Sequence, residues 1–260
     1  MMKKIFSVSR LIVLAVIFAM PLSASAQVSD NTFMFLRGDG TDNNPFIIDS
    51  YESLVEFREL VALTPLDVRY RNVLIKADID LGADPNWAPI RYYDSQHEWY
   101  FKGIVDGQGH TISNMTINKC IDAIRTDEVC LGFFGKTNDD NYTIVSNLNL
   151  KNVKIDVTLE AEPENKLDVN VGALVGYDEC MVNNINVDGE ITINDESTAT
   201  SKTRYINVGG IAGTICNKGM ISYNPGNHGQ PNKLNADINI HSTALGSRIG
   251  GIVGYAEKLN

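Results

Sequence analysis

Acidic side chains are the groups in this sequence that come nearest to a catalytic arrangement. Hydrolysis of a glycosidic bond needs two carboxyl groups about 5 to 10 Å apart, one of them with a raised pKa. The candidates are Asp78 with Asp80, the adjacent Asp139 and Asp140, and Asp106. Adjacent acids in one loop more often face water, and we interpret Asp139 and Asp140 in that way. The acids by themselves do not predict an enzyme.

A calcium site at Asp78, Asp80 and Asp84 is a second interpretation of the acids. The first two alternate along an expected strand and share one face, but the spacing of the three matches no standard calcium loop. No C-x-x-C or C-x-x-H pair is present for zinc, and no Ser-His-Asp or Cys-His arrangement is recognisable. We therefore predict no metal, no cofactor and no catalytic residue, with enzymatic activity left open as the alternative.

A cluster of aromatic residues favours a binding function instead. Tyr92, Tyr93, Trp99 and Tyr100 surround the polar segment 94–98. Aromatic rings beside polar groups stack on sugar rings or on a protein partner. For Trp99 the alternative is packing inside the protein, and the residues do not decide between the two. The segment 223–233, rich in Asn, Gly and Pro, is a second candidate contact loop.

The first 26 residues are typical of a secretory signal peptide. Basic residues precede an apolar run from 11 to 20, and Ala24 and Ala26 provide a small-residue cleavage site. An apolar run of ten residues is too short to span a bilayer of roughly 30 Å. We expect cleavage after Ala26, a secreted or cell-surface protein, and no membrane span in the mature chain.

The amino-acid composition and the net charge indicate which classes of binding partner this protein can have. The 260 residues are 43% hydrophobic and 21% charged, values that predict a folded domain. The net charge of -10 argues against nucleic acid and against anionic membranes, because both need a basic face. The remaining partner class is an unknown extracellular ligand, either a glycan or a protein.

Four short glycine-bounded segments, which we call the glycine boxes, organise the second half of the chain. They are Gly132-Phe133-Phe134-Gly135, Gly172-Ala173-Leu174-Val175-Gly176, Gly209-Gly210-Ile211-Ala212-Gly213 and Gly250-Gly251-Ile252-Val253-Gly254. The closing glycines are 41, 37 and 41 residues apart, and alternating polar and apolar residues between the boxes predict short strands. Because no unit carries a helical stripe, we predict an all-β solenoid, a parallel β-helix with one turn per unit. We interpret the box glycines as structural, since no helix follows to make a phosphate loop.

The segment before the repeats has a different pattern. Residues 44–49 predict a strand, and Ser50 then begins an amphipathic helix that ends before Pro65. Its apolar face would carry Leu54, Phe57, and Leu60 or Val61. Such a helix can cover the open first turn of a solenoid.

The four cysteines all follow the expected cleavage site, where disulfides are permitted. Cys120 and Cys130 flank a polar segment that a disulfide could close. Cys180 and Cys216 each follow a glycine box and are a second candidate pair. Burial as thiols is the alternative for all of them, because cysteine is a common core residue.

The order of motifs along the chain resembles one family. Gly38-Asp39-Gly40-Thr41, Asn44-Pro45-Phe46-Ile47, Trp87-Ala88-Pro89-Ile90 and the run Asp106-Gly107-Gln108-Gly109-His110-Thr111-Ile112 precede the four boxes. This order is similar to the GLUG-repeat proteins, exported bacterial proteins with a pectate-lyase-like right-handed β-helix. The resemblance implies a right-handed β-helix with an N-terminal capping helix. It also implies the adhesin-like binding role of surface proteins in Bacteroides-like bacteria, and it carries over no catalytic residue.

Polysaccharide-cleaving enzymes on the same scaffold are the main alternative function. Asn227-His228-Gly229 and Arg248-Ile249-Gly250 look like incomplete versions of polygalacturonase motifs, but the paired aspartates that should precede them are missing. We therefore discount them. A purely structural spacer within a longer surface protein is the third interpretation.

The resulting organisation is a signal peptide (1–26), an N-terminal cap with the first turns (27–112) and about four GLUG-type repeats (113–260). The sequence ends soon after Gly254, so we expect a continuation of the chain or a partner to cover the last strand edge.

Overall fold

The computed structural model describes residues 33–63, 70–90, 92–93, 98–99, 101–121, 129–137, 143–160, 168–196, 205–216, 219–222, 231–242 and 247–256. Within these residues the chain forms one α-helix, α1 (Tyr51–Leu63), and twenty strands. Strands from successive units pair in parallel, so the prediction of an all-β, parallel architecture is confirmed at that level.

The largest sheet contains ten strands. They are β1 (Phe46–Ile48), β2 (Tyr70–Ile75), β3 (Ile79–Asp80), β6 (Lys102–Asp106), β7 (Thr111–Ser113), β8 (Thr116–Ile121), β11 (Ile144–Leu159), β14 (Met181–Asp195), β17 (Met220–Ser222) and β18 (Lys233–Ser242). The longest pairing joins β11 to β14, from Ile144 opposite Met181 to Leu159 opposite Asp195. A bulge between Leu150 and Val153 bends this ladder.

Two four-stranded sheets lie on either side of the glycine boxes in sequence. The strands before the boxes are β9 (Val129–Leu131), β12 (Val169–Gly172), β15 (Ile206–Gly209) and β19 (Ser247–Gly250). The strands of the other sheet start inside the boxes, at the residue before the closing glycine, and continue past them. They are β10 (Phe134–Lys136), β13 (Val175–Asp178), β16 (Ala212–Ile215) and β20 (Val253–Ala256). Phe134, Val175, Ala212 and Val253 stand opposite one another in sequence order, at separations of 41, 37 and 41 residues. The register therefore equals the spacing of the closing glycines.

Aliphatic side chains of neighbouring units stack to form the core. Leu148 of β11 stands opposite Ile185 of β14, and Ile155 stands opposite Ile191. All four are at most 1% exposed, and the residues between them alternate toward solvent. Burying a side chain of this size contributes about 1.5 to 3 kcal/mol. Because each unit rests on the next, one core runs through the stack.

The helix α1 confirms the expected amphipathic element at this position. Its predicted face, Leu54, Phe57, Leu60 and Val61, is at most 4% exposed. The Phe57 ring lies 6.3 Å from the Phe46 ring and 5.8 Å from the Phe101 ring. The helix therefore packs on the apolar interior of the first strands. At its start, the Ser53 amide donates to Oγ of Ser50 at 3.1 Å, which satisfies one of the donors that a helix start leaves open.

A short antiparallel pair, β4 (Tyr92–Tyr93) with β5 (Glu98–Trp99), is the exception to the parallel pattern among named strands. Among the described residues no helix has the length and apolarity required to cross a membrane.

The cysteines in the described residues are not joined by disulfides. Cys120 and Cys130, the pair considered from the sequence, lie in different sheets and are not joined in this structure. Cys120 is exposed on β8, whereas Cys130 on β9 is 1% exposed and lies 3.8 Å from Nδ2 of Asn170. Cys180 and Cys216 are each 3% exposed.

Candidate ligand-binding site

Three residues of the aromatic cluster predicted from the sequence, Tyr92, Tyr93 and Trp99, lie on the antiparallel strands β4 and β5. Tyr92 stands opposite Trp99, and Tyr93 opposite Glu98, across the β4–β5 pair. Tyr100 and the contact loop from 223 to 230 lie outside the described residues. A binding role for these residues remains a prediction.

The acids considered for catalysis act as hydrogen-bond acceptors between units. Oδ1 of Asp78 accepts from the Thr111 amide at 2.9 Å, and Oδ1 of Asp80 accepts from Nδ2 of Asn114 at 2.7 Å. These hydrogen bonds favour the ionised form and lower the pKa of both carboxyl groups. A general acid needs the opposite shift. His110 contributes to the Asp78 contact, with Nδ1 at 3.1 Å.

The other acids are held in separate places. Asp84 pairs with the Arg58 guanidinium at 3.3 Å, on the helix side, and so does not join Asp78 and Asp80 in one cluster. Oδ1 of Asp106 accepts from Nδ2 of Asn147 at 2.9 Å. Asp139 and Asp140 are outside the described residues. In the part of the chain described, no group of three or more His, Cys, Asp and Glu side chains is placed to hold a metal.

Asparagine ladders close the bends of the largest sheet. Nδ2 of Asn184 donates to Oδ1 of Asn147 at 2.7 Å, and Asn147 in turn donates to Asp106. Asn147 and Asn184 have φ values of 55° and 51°, in the left-handed region that asparagine tolerates better than most residues. We call the series Asp106, Asn147 and Asn184 the bend ladder. The Asn147 amide both donates and accepts in these contacts between units.

The glycine boxes let two strands of neighbouring units touch through their backbones. A Cβ atom on Gly213 would lie 2.4 Å from the Val171 nitrogen, and one on Gly176 would lie 2.6 Å from the Leu131 nitrogen. A Cβ atom on Gly254 would likewise lie 2.4 Å from the Val208 nitrogen. The closing glycine of each unit thus lies against the strand before the box of the preceding unit, where a side chain has no room.

This close approach brings two rows of side chains together. One row comes from β12, β15 and β19, in which Asn170, Asn207 and Arg248 stand opposite one another. The other comes from β13, β16 and β20, in the order Tyr177, Thr214 and Tyr255. Oγ1 of Thr214 donates to Oδ1 of Asn170 at 2.6 Å, which joins the rows.

A cavity of about 210 Å³ opens between these rows, and we call it the box cleft. Its lining is Asp168, Asn170, Tyr177, Tyr205, Asn207, Thr214, Arg248 and Tyr255. Three tyrosines and a guanidinium beside buried amides are the mixture of ring faces and fixed polar groups that ligand sites use.

Arg248 is clamped between two rings in the box cleft. Its guanidinium carbon lies 3.7 Å from the centroid of Tyr205 and 3.7 Å from that of Tyr255. Cation–π contacts of this kind are worth about 0.5 to 2 kcal/mol each. Among the described residues, no carboxylate forms an ion pair with Arg248. The side chain is therefore positioned, while its charge is left without a neutralising partner in that set.

Asn207 contributes an unused acceptor. It is 1% exposed, and its Nδ2 donates to Oδ1 of Asn170 at 2.8 Å. Its own Oδ1 is buried and has no hydrogen-bond partner. Leaving a buried acceptor unsatisfied costs about 1 to 3 kcal/mol, so such atoms are uncommon and call for an explanation. Asn207 also belongs to the lining of the box cleft.

A second, more open concavity of about 670 Å³ lies on the largest sheet, and we call it the amide groove. It is lined by Thr111, Asn149, Leu150, Lys151, Asn186, Val187, Asp188, Lys233, Leu234 and Asn235. Asn186 donates to Asn149 at 2.6 Å, and Asn235 donates to Asp188 at 3.1 Å, while Oδ1 of Asn186, like that of Asn207, is buried without a hydrogen-bond partner. No aromatic ring belongs to this lining, unlike that of the box cleft.

The sequence interpretation missed the box cleft, although a signal was present. Aligning the boxes places Asn170, Asn207 and Arg248 two residues before the first glycine. The same alignment places a tyrosine or threonine directly after the closing glycine of the last three boxes. Equivalent positions in stacked units form rows, so polar and aromatic residues at these positions predict a lined surface.

The sequence of this chain is similar to parts of two longer proteins. No protein-family model matches it. It is 28% identical over 185 residues to halomucin of Haloquadratum walsbyi, covering 68% of this chain and 2% of that protein. It is 31% identical over 160 residues to a "Putative Gly-rich membrane protein" of Evansella cellulosilytica, covering 60% of this chain and 16% of that protein. The chain thus spans a small part of these curated relatives.

One solved structure is also similar, described as a "putative immunoglobulin A1 protease from Bacteroides ovatus". The match covers 91% of this chain and 69% of that chain, with 16% sequence identity and a TM-score of 0.49. A likeness at this level assigns no activity to the present chain.

Proposed function

We propose that this protein is an exported, surface-displayed module that binds a glycan in the box cleft and catalyses no reaction. The observation that carries the proposal is the Tyr205–Arg248–Tyr255 stack beside the unpaired oxygen of Asn207. Arg248 covers one face of Tyr205 and one face of Tyr255, and the uncovered parts of these rings can contact sugar C–H groups while amides bond to sugar hydroxyl groups.

The proposal includes the finer description of the fold. We take the three parallel sheets as the faces of a right-handed β-helix of the GLUG-repeat type, with α1 as its N-terminal cap. The equality of register and box spacing supports one coil per unit. The signal-peptide pattern of residues 1–26 supports export, and one curated relative is named as a membrane protein.

Cleavage of a polysaccharide is less favoured for a chemical reason. Asp78, Asp80 and Asp106 each accept a structural hydrogen bond, and the pKa values of Asp78 and Asp80 are lowered. Asp178 has a raised pKa, but it lines neither the box cleft nor the amide groove, and Oγ1 of Thr137 donates to its Oδ1. Asp78 and Asp80 therefore lack the raised pKa that the acid of a hydrolytic pair requires.

The test is to incubate protein made from the full-length sequence with plant, host and bacterial polysaccharides, and to follow both components by size-exclusion chromatography. We expect co-elution with at least one polymer and no shortening of any polymer. Tyr205→Ala should abolish the co-elution. Phe35→Ala, which removes an exposed aromatic ring 45% accessible to solvent at the other end of the described chain, should leave it intact.

Two outcomes would contradict the proposal. Shortening of a polymer would establish the hydrolase or lyase alternative. Co-elution that survives Tyr205→Ala, or no co-elution with any polymer, would remove the box cleft as a glycan site and leave a protein ligand or a spacer role.

A further inference from the structure

We infer that the box cleft selects a carboxylate-bearing sugar, such as a uronic acid residue, and that the in-plane edge of Arg248 reads the carboxylate. This inference rests on the proposed glycan-binding function and specifies its ligand class. It follows from which surfaces of Arg248 are covered and which are available.

Both flat faces of the Arg248 guanidinium are occupied. Tyr205 and Tyr255 lie against it at 3.7 Å from ring centroid to guanidinium carbon. What remains is the edge of the group, where the N–H bonds point outward in the plane. A carboxylate is planar and accepts two parallel N–H bonds from such an edge, which a single hydroxyl cannot do. The clamp also holds the side chain in place before the ligand arrives, so little conformational entropy is lost on binding.

The charge around Arg248 favours an anionic ligand. In the described part of the chain no carboxylate pairs with it, so an incoming carboxylate would be its neutralising partner. Asp168 also lines the cleft, and its Oδ1 accepts from the Tyr205 amide at 3.1 Å. Because like charges repel, Asp168 would direct a ligand carboxylate away from itself, while it can accept a hydroxyl of the same sugar.

The remaining groups require more than a simple anion. The unpaired Oδ1 of Asn207 needs a donor, which a carboxylate lacks and a sugar hydroxyl provides. The volume of about 210 Å³ is below the roughly 300 Å³ at which pockets for drug-sized ligands begin, so the cleft accommodates a single small ring rather than a long segment. An acidic sugar residue within a longer chain meets all of these conditions.

The experiment compares acidic glycans with their own neutral forms. Polygalacturonate, alginate, hyaluronate and sialyl-oligosaccharides would each be used together with a carboxyl-reduced preparation, in which the carboxylate becomes a primary alcohol. Calorimetric titration of the full-length protein at physiological salt measures both affinities. We expect at least one acidic glycan to bind about 10- to 100-fold more tightly than its reduced form, the range for hydrogen bonds to charged groups.

Variants separate recognition by Arg248 from general charge attraction. Arg248→Gln should remove the preference for the acidic form, and Arg248→Lys should retain part of it because the charge stays while the planar edge is lost. Lys233→Gln is the matched control, since it removes one positive charge in the amide groove and should leave the preference unchanged. Thermal melting of each variant checks that it folds.

The failures of the two proposals are distinguishable. Equal binding of acidic and reduced glycans, abolished by Tyr205→Ala, would overturn the carboxylate inference and leave glycan binding intact. Equal weakening by Arg248→Gln and Lys233→Gln would overturn the assignment to Arg248. Binding of neither form of any glycan would overturn both proposals.

Discussion

The bend ladder and the box cleft both contain an asparagine that donates a hydrogen bond to an asparagine of the neighbouring unit, yet they differ in which polar groups have partners. In the bend ladder, Asn184 donates to Asn147 and Asn147 to Asp106, which closes the series on a carboxylate. In the cleft, Asn207 donates to Asn170, but its own oxygen has no partner and Arg248 follows it in the row. The same pairing chemistry thus stabilises a bend in one place and leaves free bonding capacity in the other.

The largest effect is expected where the cleft is built. Gly213→Ala would place a methyl carbon 2.4 Å from the Val171 nitrogen, a backbone clash that no side-chain rotation relieves. We expect a loss of about 4 kcal/mol in the free energy of unfolding, measured by urea denaturation. Gly251→Ala is the control, because its nearest neighbour is a Leu234 methyl carbon at 3.9 Å. Equal stability of the two variants would mean that the close approach is not required.

The next effect tests the structural role of the bend ladder. Asn147→Ala removes two hydrogen bonds and places alanine at a φ of 55°, so we expect a loss of about 3 kcal/mol in unfolding free energy. Asn147→Gly should recover about 1 kcal/mol of this, because glycine tolerates the left-handed backbone but restores neither bond. Binding in the cleft should be unchanged in both. A loss below 1 kcal/mol for Asn147→Ala would refute the ladder as a source of stability.

A pH-dependent effect is expected at the buried Asp178, near the end of β13. Burial raises the pKa of this carboxyl from 3.8 to about 6. Since the folded state holds the proton more tightly than the unfolded state, stability from this group is complete below about pH 4 and falls as the pH rises to about 6. The loss is up to about 3 kcal/mol, from 1.36 kcal/mol per pKa unit.

Asp178→Asn isolates that contribution. The unfolding free energy of the variant minus that of the wild type should rise by up to about 3 kcal/mol between pH 4 and pH 7. Oδ1 of Asp178 accepts from Oγ1 of Thr137 at 2.8 Å, and the amide oxygen can keep this bond. A difference that does not vary with pH would show that the pKa is not raised.

The smallest stability effect is expected in the cleft itself. Asn207→Ala removes one hydrogen bond, to Asn170, and also the unpaired oxygen, so the unfolding free energy should fall by only about 1 kcal/mol. Glycan affinity should nevertheless decrease at least about tenfold, because the ligand hydroxyl loses its acceptor. We thus expect replacement of Asn147 to lower the unfolding free energy without changing glycan affinity, and replacement of Asn207 to lower glycan affinity with little change in unfolding free energy. The reverse pattern would contradict the contrast between the two ladders.

Features of the fold that depend on residue spacing could be predicted from the sequence. The separation of the closing glycines predicted the register of β10, β13, β16 and β20, since identical units stack residue upon residue. The apolar spacing from Leu54 to Val61 predicted α1. The glycine spacing is a short pattern that repeats along the chain, and the helix pattern lies within one segment.

Features that depend on contacts between units were not predictable in the same way. Tyr205, Arg248 and Tyr255 come from three segments, and they meet only because Gly213 and Gly254 allow backbones to touch. Asp78 and Asp80 were candidates for a carboxylate pair or a calcium site by spacing alone, and only the structure shows that Thr111 and Asn114 of the next unit donate hydrogen bonds to them. The sequence left open whether Cys120 and Cys130 form a disulfide, and only the structure shows that Cys120 is exposed and Cys130 buried.

The most direct test of the central claim is a side-chain amide and arginine NMR titration of isotopically labelled protein with the acidic glycan that binds most tightly. The account predicts that the Asn207 amide and Arg248 guanidinium signals shift with the same dissociation constant, while the Asn147 and Asn184 signals stay in place. Shifts confined to the bend ladder, or shifts in neither set while the glycan binds, would contradict the box cleft as the binding site.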